Sequence, residues 1–363
     1  MNISQTKEYI KQVKNIKGIV PALIGPKGIG KTELIKQVAK ECGIGYQAVY
    51  PSSLQGEDFM GLLEKDSESK TTRYLAPDFL PTKNAVKKGL FPEEGIFVLE
   101  EFNRGDTQTI SSLFPLLQER NINGHELADG WSMAVCVNPD NMQYTTNSLD
   151  NAGLSRILTI EVSPDLDEYT TYMIKEGRAH DDILNFLHTN KEMFNIDEIS
   201  DNMDKSPSPR DWSKACDVLS ACDFNEMQIM TTMTGLVGSS AAASYMGFLK
   251  DKDIVYPEAD NILKSYSKKQ KEIIETIMEK QRLDIMTLTF KRLVLKLDVS
   301  KKSHVTNILK FIDGLDSELK IILAKQIVSE RRSESLAIIE SIPGFKGQVM
   351  DRIIDIERDS MAA

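Results

Sequence analysis

The chain has 363 residues, which is enough for two or three domains, and its apolar content is ordinary for a soluble protein. Its formal net charge of −10 argues against a general binder of duplex DNA, because such proteins are usually basic. Four cysteines without a C-x-x-C pair, and no run of about 18 apolar residues, predict a cytoplasmic protein without disulfides, zinc sites or membrane spans.

The first strong signal is a glycine-rich octet between a predicted strand and a predicted helix. Residues 19–24 form an apolar run typical of a buried strand, and apolar residues at helical spacing follow the octet. Glycines let the backbone turn its N–H groups toward a phosphate, Lys31 can reach the β- and γ-phosphates, and the Thr32 hydroxyl can hold Mg²⁺. The octet matches the phosphate-binding P-loop pattern G-x-x-x-x-G-K-[ST] and comprises Gly25, Pro26, Lys27, Gly28, Ile29, Gly30, Lys31 and Thr32.

Four further strands are predicted downstream of this octet. Apolar runs bounded by turn residues place them at about residues 46–50, 96–100, 132–137 and 157–162. Between the first two, residues 52–63 are predicted to form a loop with a short helical turn, and residues 64–73 an exposed hairpin tip or a flexible loop. Residues 107–120 are predicted to form a helix that Pro115 kinks. Strands alternating with helices predict an α/β fold with a five-stranded parallel sheet.

The strand predicted at residues 96–100 ends in two acids, Glu100 and Glu101. An apolar strand that ends in two acids is the Walker B pattern, and the carboxyl end of a parallel strand opens toward bound ligands. The first acid, usually Asp, sits near Mg²⁺, and the second polarises the attacking water. Here Glu100 is one methylene longer than Asp. The strand predicted at 132–137 ends in Asn138, which can bond the γ-phosphate or the attacking water, or can merely form an Asn-Pro turn.

From residue 165 onward the pattern is almost wholly helical. Small residues between positions 235 and 243 allow close packing of helices. Apolar residues recur at helical spacing further on, at Ile273, Ile274, Ile277 and Met278, and again at Ile353, Ile354 and Ile356. The charged run from Lys268 to Lys271 is interleaved with glutamates and predicts a solvated helix face rather than a nucleic-acid patch.

Taken in order, these motifs resemble the AAA+ ATPase superfamily, and within it the MoxR-like branch. The resemblance covers roughly residues 1–250 and rests on GPKGIGKT, IFVLEEFNR, LLQER, VNP, the pair SR at 155–156 and SPRDW at 208–212. The run GLVGSSAAASYMGFL at 235–249 also resembles MoxR-like ATPases that work beside von Willebrand factor A proteins. The resemblance implies a P-loop NTPase αβα core over residues 1–165 and a helical AAA+ lid over 166–250. Residues 251–363 are then a helical extension of unknown role.

The resemblance also implies roles for single residues. Lys31 and Thr32 would bind phosphate and Mg²⁺, Glu100 would support Mg²⁺, and Glu101 would be the catalytic base. Asn138 resembles the sensor-1 residue, Arg156 the arginine finger that reaches a neighbouring subunit, and Arg210 the sensor-2 arginine of the lid. Arg104 and Arg120 compete for the role in trans, Arg156 can instead be an ordinary surface residue, and Arg210 can merely start a helix.

The function implied is Mg²⁺-dependent ATP hydrolysis in a homo-oligomeric, hexameric ring that remodels a protein client. A von Willebrand factor A-type protein is a candidate client, and neither a membrane nor a nucleic acid is expected as partner. Two alternatives stay open. One is a nucleic-acid-stimulated NTPase that acts as a motor or loader, which the acidic charge disfavours. The other is a non-hydrolysing nucleotide switch, suggested by Glu100. The sequence does not distinguish ATP from GTP.

Overall fold

The computed structural model describes residues 1–66, 71–139, 151–196, 205–250, 256–298 and 300–330. The described residues divide into two compact units. The first unit contains residues 1–168 and 195–212, and the second contains residues 169–194 and those that follow residue 212. The predicted domain limits at residues 165 and 250 remain predictions.

All the strands described lie in the first unit. They are β1 (Pro21–Ile24), β2 (Gly45–Val49), β3 (Leu62–Asp66), β4 (Thr71–Leu75), β5 (Gly95–Leu99), β6 (Asn121–Ile122), β7 (His125–Glu126), β8 (Trp131–Val137) and β9 (Leu158–Glu161). Five of them form one parallel sheet in the order β2-β5-β8-β1-β9, which confirms the predicted sheet. The other two pairs, β3-β4 and β6-β7, are antiparallel hairpins.

Helices flank the sheet and make up the second unit. They are α1 (Ile3–Val13), α2 (Lys31–Cys42), α3 (Gly56–Met60), α4 (Lys83–Lys87), α5 (Thr107–Ser112), α6 (Phe114–Glu119), α7 (Asn151–Leu154), α8 (Leu166–Lys175), α9 (Asp181–Thr189), α10 (Pro209–Ala221), α11 (Glu226–Val237), α12 (Ser239–Lys250), α13 (Ala259–Lys264), α14 (Lys268–Glu279), α15 (Leu283–Lys296), α16 (Lys302–Asp313) and α17 (Ser317–Glu330). Short 3-10 turns cover Pro51–Ser53, Phe102–Arg104 and Lys191–Met193.

Both faces of the sheet are buried, as the continuous apolar strands predict. Along β5, Phe97 and Leu99 pack into one core cluster, and Ile96 and Val98 pack into the other. Side chains alternate between the faces of a strand, so one strand supplies both layers. Helices α1 and α2 cover the face of Ile96, and α5 and α6 cover the opposite face. The result is the αβα arrangement that the resemblance implies.

The register of the sheet brings three strand ends to one edge. Ile24 at the end of β1 pairs with Val137 at the end of β8, and Leu99 at the end of β5 pairs with Val135. Because parallel strands run in the same direction, the residues that follow these ends emerge together. The P-loop, the two acids and Asn138 follow those three strands.

Two predicted segments differ in detail. The helix expected over residues 107–120 is two helices, α5 and α6, which meet at Leu113. Pro115 has no N–H to bond back to the preceding turn, so the helical hydrogen bonds are interrupted and Pro115 lies in the first turn of a new helix, where a missing N–H is tolerated. The segment over residues 64–73 belongs to the β3-β4 hairpin, of which residues 67–70 lie outside the described residues.

The second unit is helical throughout its described residues. Its core contains Ile274 and Ile277 of α14, Phe290 of α15 and Phe311 of α16. The rings of Phe290 and Phe311 meet edge to face, with centroids 5.9 Å apart. The predicted helical spacing at residues 353–356 lies outside the described residues. In the described part of the chain, no helix is both long enough and apolar enough to cross a membrane.

Candidate functional site

The predicted P-loop joins the end of β1 to the start of α2. Gly28 and Gly30 have φ values of +75° and +104°, a region that side chains with a Cβ rarely adopt. Helix α2 begins at Lys31, and no side chain caps its first turn. The free N–H groups and the positive end of the helix dipole therefore face the loop, which is the local arrangement that binds phosphate.

Lys31 points into this loop. Its Nζ donates hydrogen bonds to the carbonyl oxygens of Gly25 at 2.6 Å and Pro26 at 2.9 Å, and to Asn138 Oδ1 at 3.2 Å. The residue is only 9% exposed, and its burial lowers the pKa of the ammonium to about 8. All three oxygens are neutral. The site thus holds a buried cation whose charge its hydrogen-bond partners do not neutralise, which favours an anion beside it.

Glu100 lies at the centre of the site and is 2% exposed. Its Oε2 accepts a hydrogen bond from Thr32 Oγ1 at 2.8 Å, so the structure brings together the two residues predicted to hold Mg²⁺. Its Oε1 accepts from the Tyr46 hydroxyl at 3.3 Å. Burial and the nearby Glu100 carboxylate raise the pKa of the thiol of Cys136 on β8. The longer acid is therefore held by hydrogen bonds from two surrounding side chains, Thr32 and Tyr46.

Glu101 follows on a sharply turned backbone. Its φ of 49° is left-handed, and a 3-10 turn begins directly after it. Its Oε2 accepts a hydrogen bond from Arg104 Nη1 at 2.8 Å, and both side chains are partly exposed. The left-handed residue separates the directions of the two acids, so Glu100 is buried while Glu101 reaches solvent. Arg104, a competitor for the role in trans, pairs with Glu101 of its own chain.

Asn103 also belongs to the site, although the sequence analysis assigned no role to it. Its amide nitrogen donates to the Asn138 carbonyl at 2.9 Å, and its amide oxygen accepts from the Asn138 N–H at 3.1 Å. This reciprocal pair joins the turn after β5 to the end of β8. The only signal in the sequence is a small amide two positions after Glu101.

Arg210 also reaches the P-loop, through its backbone. Its N–H donates to the Gly28 carbonyl at 3.1 Å. A Cβ on Gly28 would lie well inside van der Waals contact of the Ser208 hydroxyl, and 3.2 Å from the Arg210 Cβ. The charge of Arg210 contributes to the lowered pKa of Lys31. Ser208 and the first turn of α10 thus rest on the phosphate loop, and Ser208 is a second residue that sequence reasoning missed.

The two remaining candidate arginines lie elsewhere in the first unit. The guanidinium carbon of Arg156 lies 4.8 Å from the centroid of the Phe114 ring, in cation–π contact. Arg120 donates from Nη2 to the carbonyl oxygens of Ala128 and Trp131 at 2.9 and 2.5 Å. Because two carbonyls at the amino end of β8 hold its guanidinium, Arg120 supports the fold.

The residues present fit a nucleoside triphosphate with Mg²⁺. The buried Lys31 ammonium and the uncapped start of α2 suit phosphate oxygens, and the Thr32 hydroxyl with the Glu100 carboxylate offers hard oxygen ligands. Among the residues that the structure describes, no group of three His, Cys, Asp or Glu side chains could hold a metal by itself.

Comparisons with known proteins agree with this geometry at the level of the domain. Residues 22–156 match the family model of the AAA domain, dynein-related subfamily. The matched segment holds every predicted site residue except Arg210. A comparison with curated protein sequences gives no match.

Solved structures with some likeness include the RuvB Holliday junction branch migration motor of Thermotoga maritima. It is 14% identical, with 77% of this chain and 76% of that chain covered and a TM-score of 0.35. A proline-to-glycine mutant of the same RuvB is 14% identical over 77% of this chain and 75% of its own, with a TM-score of 0.36. At these TM-scores the likeness carries no argument about this chain.

Proposed function

We propose that this chain, whose residues 22–156 match the family model of the AAA domain, dynein-related subfamily, binds ATP with Mg²⁺ and hydrolyses it. The observation that carries the proposal is the convergence of Lys31, Thr32, Glu100 and Asn138 at one edge of the sheet. Lys31 comes within 3.2 Å of Asn138, and Thr32 within 2.8 Å of Glu100, although 107 and 68 positions separate them in sequence.

Each of these side chains has a task in the proposed reaction. The P-loop backbone and Lys31 bind the β- and γ-phosphates, and Thr32 with Glu100 holds the metal. Mg²⁺, when bound, neutralises charge on the phosphates. Glu101 accepts a proton from the attacking water, and Asn138 orients that water or the γ-phosphate. Arg210, whose backbone bonds the P-loop, contacts the γ-phosphate from the first turn of α10 and reports closure of a helical lid.

We further propose a ring, hexameric as in the MoxR-like branch, that remodels a protein client in the cytoplasm. A von Willebrand factor A-type protein is the candidate client. Support comes from the sequence motifs and from Arg156. Its guanidinium lies over the Phe114 ring of its own chain in the unliganded protein, and we propose that in the ring it reaches the ATP of a neighbouring subunit. An arginine that reaches a neighbouring phosphoryl group accelerates its transfer by roughly 10³–10⁵-fold.

The test uses ATP turnover against protein concentration, with the mass of the assembly measured in parallel. Glu101→Gln and Arg156→Ala should each bind ATP and assemble, yet lose about 100-fold or more in turnover. Mixing the two inactive variants should restore part of the activity, because a mixed interface can combine an intact Glu101 with an intact Arg156. Arg73→Ala, which changes an exposed arginine of β4, is the control and should turn over normally.

Other outcomes favour the other functions. A wild type that binds ATP but does not hydrolyse it would support a non-hydrolysing switch. Turnover that rises when DNA or RNA is added would support a nucleic-acid motor or loader. A monomer with constant specific activity and a fully active Arg156→Ala would overturn the shared site.

A further inference from the structure

The two carboxylate oxygens of Glu100, the first acid of the site, have different hydrogen-bond donors. Glu100 Oε2 accepts from Thr32 Oγ1 at 2.8 Å, and Oε1 accepts from Tyr46 Oη at 3.3 Å. One oxygen therefore faces the start of α2, and the other faces strand β2. The side chain is buried, so neither oxygen can exchange these partners freely for water.

Tyr46 is held in place independently of Glu100. It lies on β2 and pairs in register with Ile96 of β5. Its ring packs against the core cluster that contains Ile96 and Val98, and the ammonium of Lys36 lies 5.5 Å from the ring centroid. A ring fixed by packing and by a cation presents its hydroxyl at a defined point. That point lies beside Oε1, on the side of the Glu100 carboxylate that Thr32 does not contact.

The length of Glu100 explains why such a contact is needed. A glutamate has one more rotatable bond than an aspartate, so holding its carboxylate in one place costs more conformational entropy. It also reaches farther. Removing one methylene, about 1.5 Å of chain, would take Oε1 from 3.3 Å out of hydrogen-bonding range of Tyr46. The Tyr46 contact is therefore available to a glutamate at this position and not to an aspartate.

We propose that Tyr46 is a positioning residue, which anchors one oxygen of Glu100 so that the other stays beside Thr32 and serves the metal. This inference rests on the proposed function, because it takes Thr32 and Glu100 as the metal site. Groups that hydrogen-bond a metal-binding carboxylate fix its orientation, and their loss typically weakens metal affinity by about 10–100-fold.

The test measures the affinity of Mn²⁺ for the nucleotide complex by electron paramagnetic resonance, without reference to turnover. Tyr46→Phe should weaken Mn²⁺ binding about tenfold, while the affinity for nucleotide in the absence of metal stays within about twofold. Tyr9→Phe is the matched control, because Tyr9 packs against the same core cluster and should leave both affinities unchanged. Unfolding curves of all variants show whether each one folds.

The second part of the test measures the effect of Tyr46→Phe on Mn²⁺ affinity in a protein that already carries Glu100→Asp. An aspartate cannot reach Tyr46, so adding Tyr46→Phe should weaken Mn²⁺ binding no further, whereas a general loss of stability would weaken it again. Equal Mn²⁺ affinity for wild type and Tyr46→Phe, or an equal further loss in the Glu100→Asp background, would overturn the positioning role alone. A wild type that binds no nucleotide with metal would overturn the proposed function itself.

Discussion

Asn103 and Asn138 exchange two hydrogen bonds across the ends of neighbouring strands. The amide of Asn103 donates to the Asn138 carbonyl at 2.9 Å and accepts from the Asn138 N–H at 3.1 Å. Both residues are buried, and the side chain of Asn138 in turn accepts from Lys31. One asparagine therefore links the turn that carries the two acids to the strand end that contacts the P-loop lysine.

Asn103→Ala should destabilise the first unit by about 2 kcal/mol or more, because two buried backbone groups lose their partners at about 1–3 kcal/mol each. Denaturant unfolding followed by tryptophan fluorescence measures this directly. Both tryptophans of the chain, Trp131 and Trp212, are buried in the first unit.

The control for this prediction is Asn84→Ala, which removes an exposed amide of α4 in the same unit. It should change the free energy of unfolding by less than about 0.5 kcal/mol. Equal effects of the two substitutions would show that the Asn103–Asn138 pair contributes nothing.

The affinity for nucleotide should fall above about pH 8. Burial lowers the pKa of Lys31 from 10.5 to about 8, and bound phosphates favour the charged ammonium. Affinity should therefore be nearly constant below pH 8 and fall by up to roughly tenfold per pH unit above it. Binding titrations between pH 7 and 9.5 measure this slope, and Lys31→Arg, which stays charged, should show a flatter profile.

In the unliganded protein, the contribution of Lys31 to stability should rise with pH, whereas the affinity for nucleotide falls. The folded state releases the Lys31 proton at about pH 8 and the unfolded state at 10.5, so between these values the unfolded state binds more protons. The contribution of Lys31 to the free energy of unfolding therefore increases with pH over this window. A Lys31→Met variant should lack this increase. A flat nucleotide affinity in the wild type would contradict the buried position of the ammonium.

Two glycines of the P-loop should differ in their response to alanine. Gly28 and Gly30 both have positive φ, so each alanine strains the backbone by roughly 1–2 kcal/mol. A Cβ on Gly28 also collides with Ser208, whereas a Cβ on Gly30 meets nothing within 4 Å. Gly28→Ala should therefore lower the free energy of unfolding by at least about 1 kcal/mol more than Gly30→Ala.

A second substitution isolates the collision. Ser208→Gly removes both the hydroxyl and the Cβ that face Gly28. It should cost less stability in the Gly28→Ala background than in the wild type, because it relieves the clash there. Additive effects would mean that the segment before α10 does not rest on the P-loop.

In the second unit, removing either partner of the ion pair between Arg292 and Asp181 should lower the stability by different amounts. Arg292 is 3% exposed and its Nη2 lies 3.2 Å from Asp181 Oδ1, while the aspartate is half-exposed. Burial lowers the pKa of Arg292, which marks the cost of its charge. Asp181→Ala leaves a buried guanidinium without this partner and should destabilise more than Arg292→Met, which leaves an exposed carboxylate.

Thermal unfolding followed by circular dichroism measures both variants and their combination. The double variant should be at least as stable as Asp181→Ala alone, because no buried charge then remains to be compensated. A double variant less stable than either single one would show that the two side chains act through packing alone.

Local patterns predicted the five strands, because an apolar run bounded by turn residues is typical of a strand in a parallel sheet that helices cover on both faces. They also predicted the P-loop, because a strand, a glycine octet and a helix suffice to turn N–H groups toward a phosphate. The helix over 107–120 was predicted less well. There apolar spacing continues across Leu113, but Pro115 interrupts the backbone bonds.

The sequence by itself determined where the phosphate loop and the acids lie, since each depends on neighbours within a few residues. Only the tertiary structure decided which side chains support them. Tyr46 is 54 positions from Glu100, and Asn103 is 35 positions from Asn138. Their hydrogen bonds depend on strand order and register, which place β5 between β2 and β8. No local period encodes that order, because it is set by how the whole sheet buries its two faces.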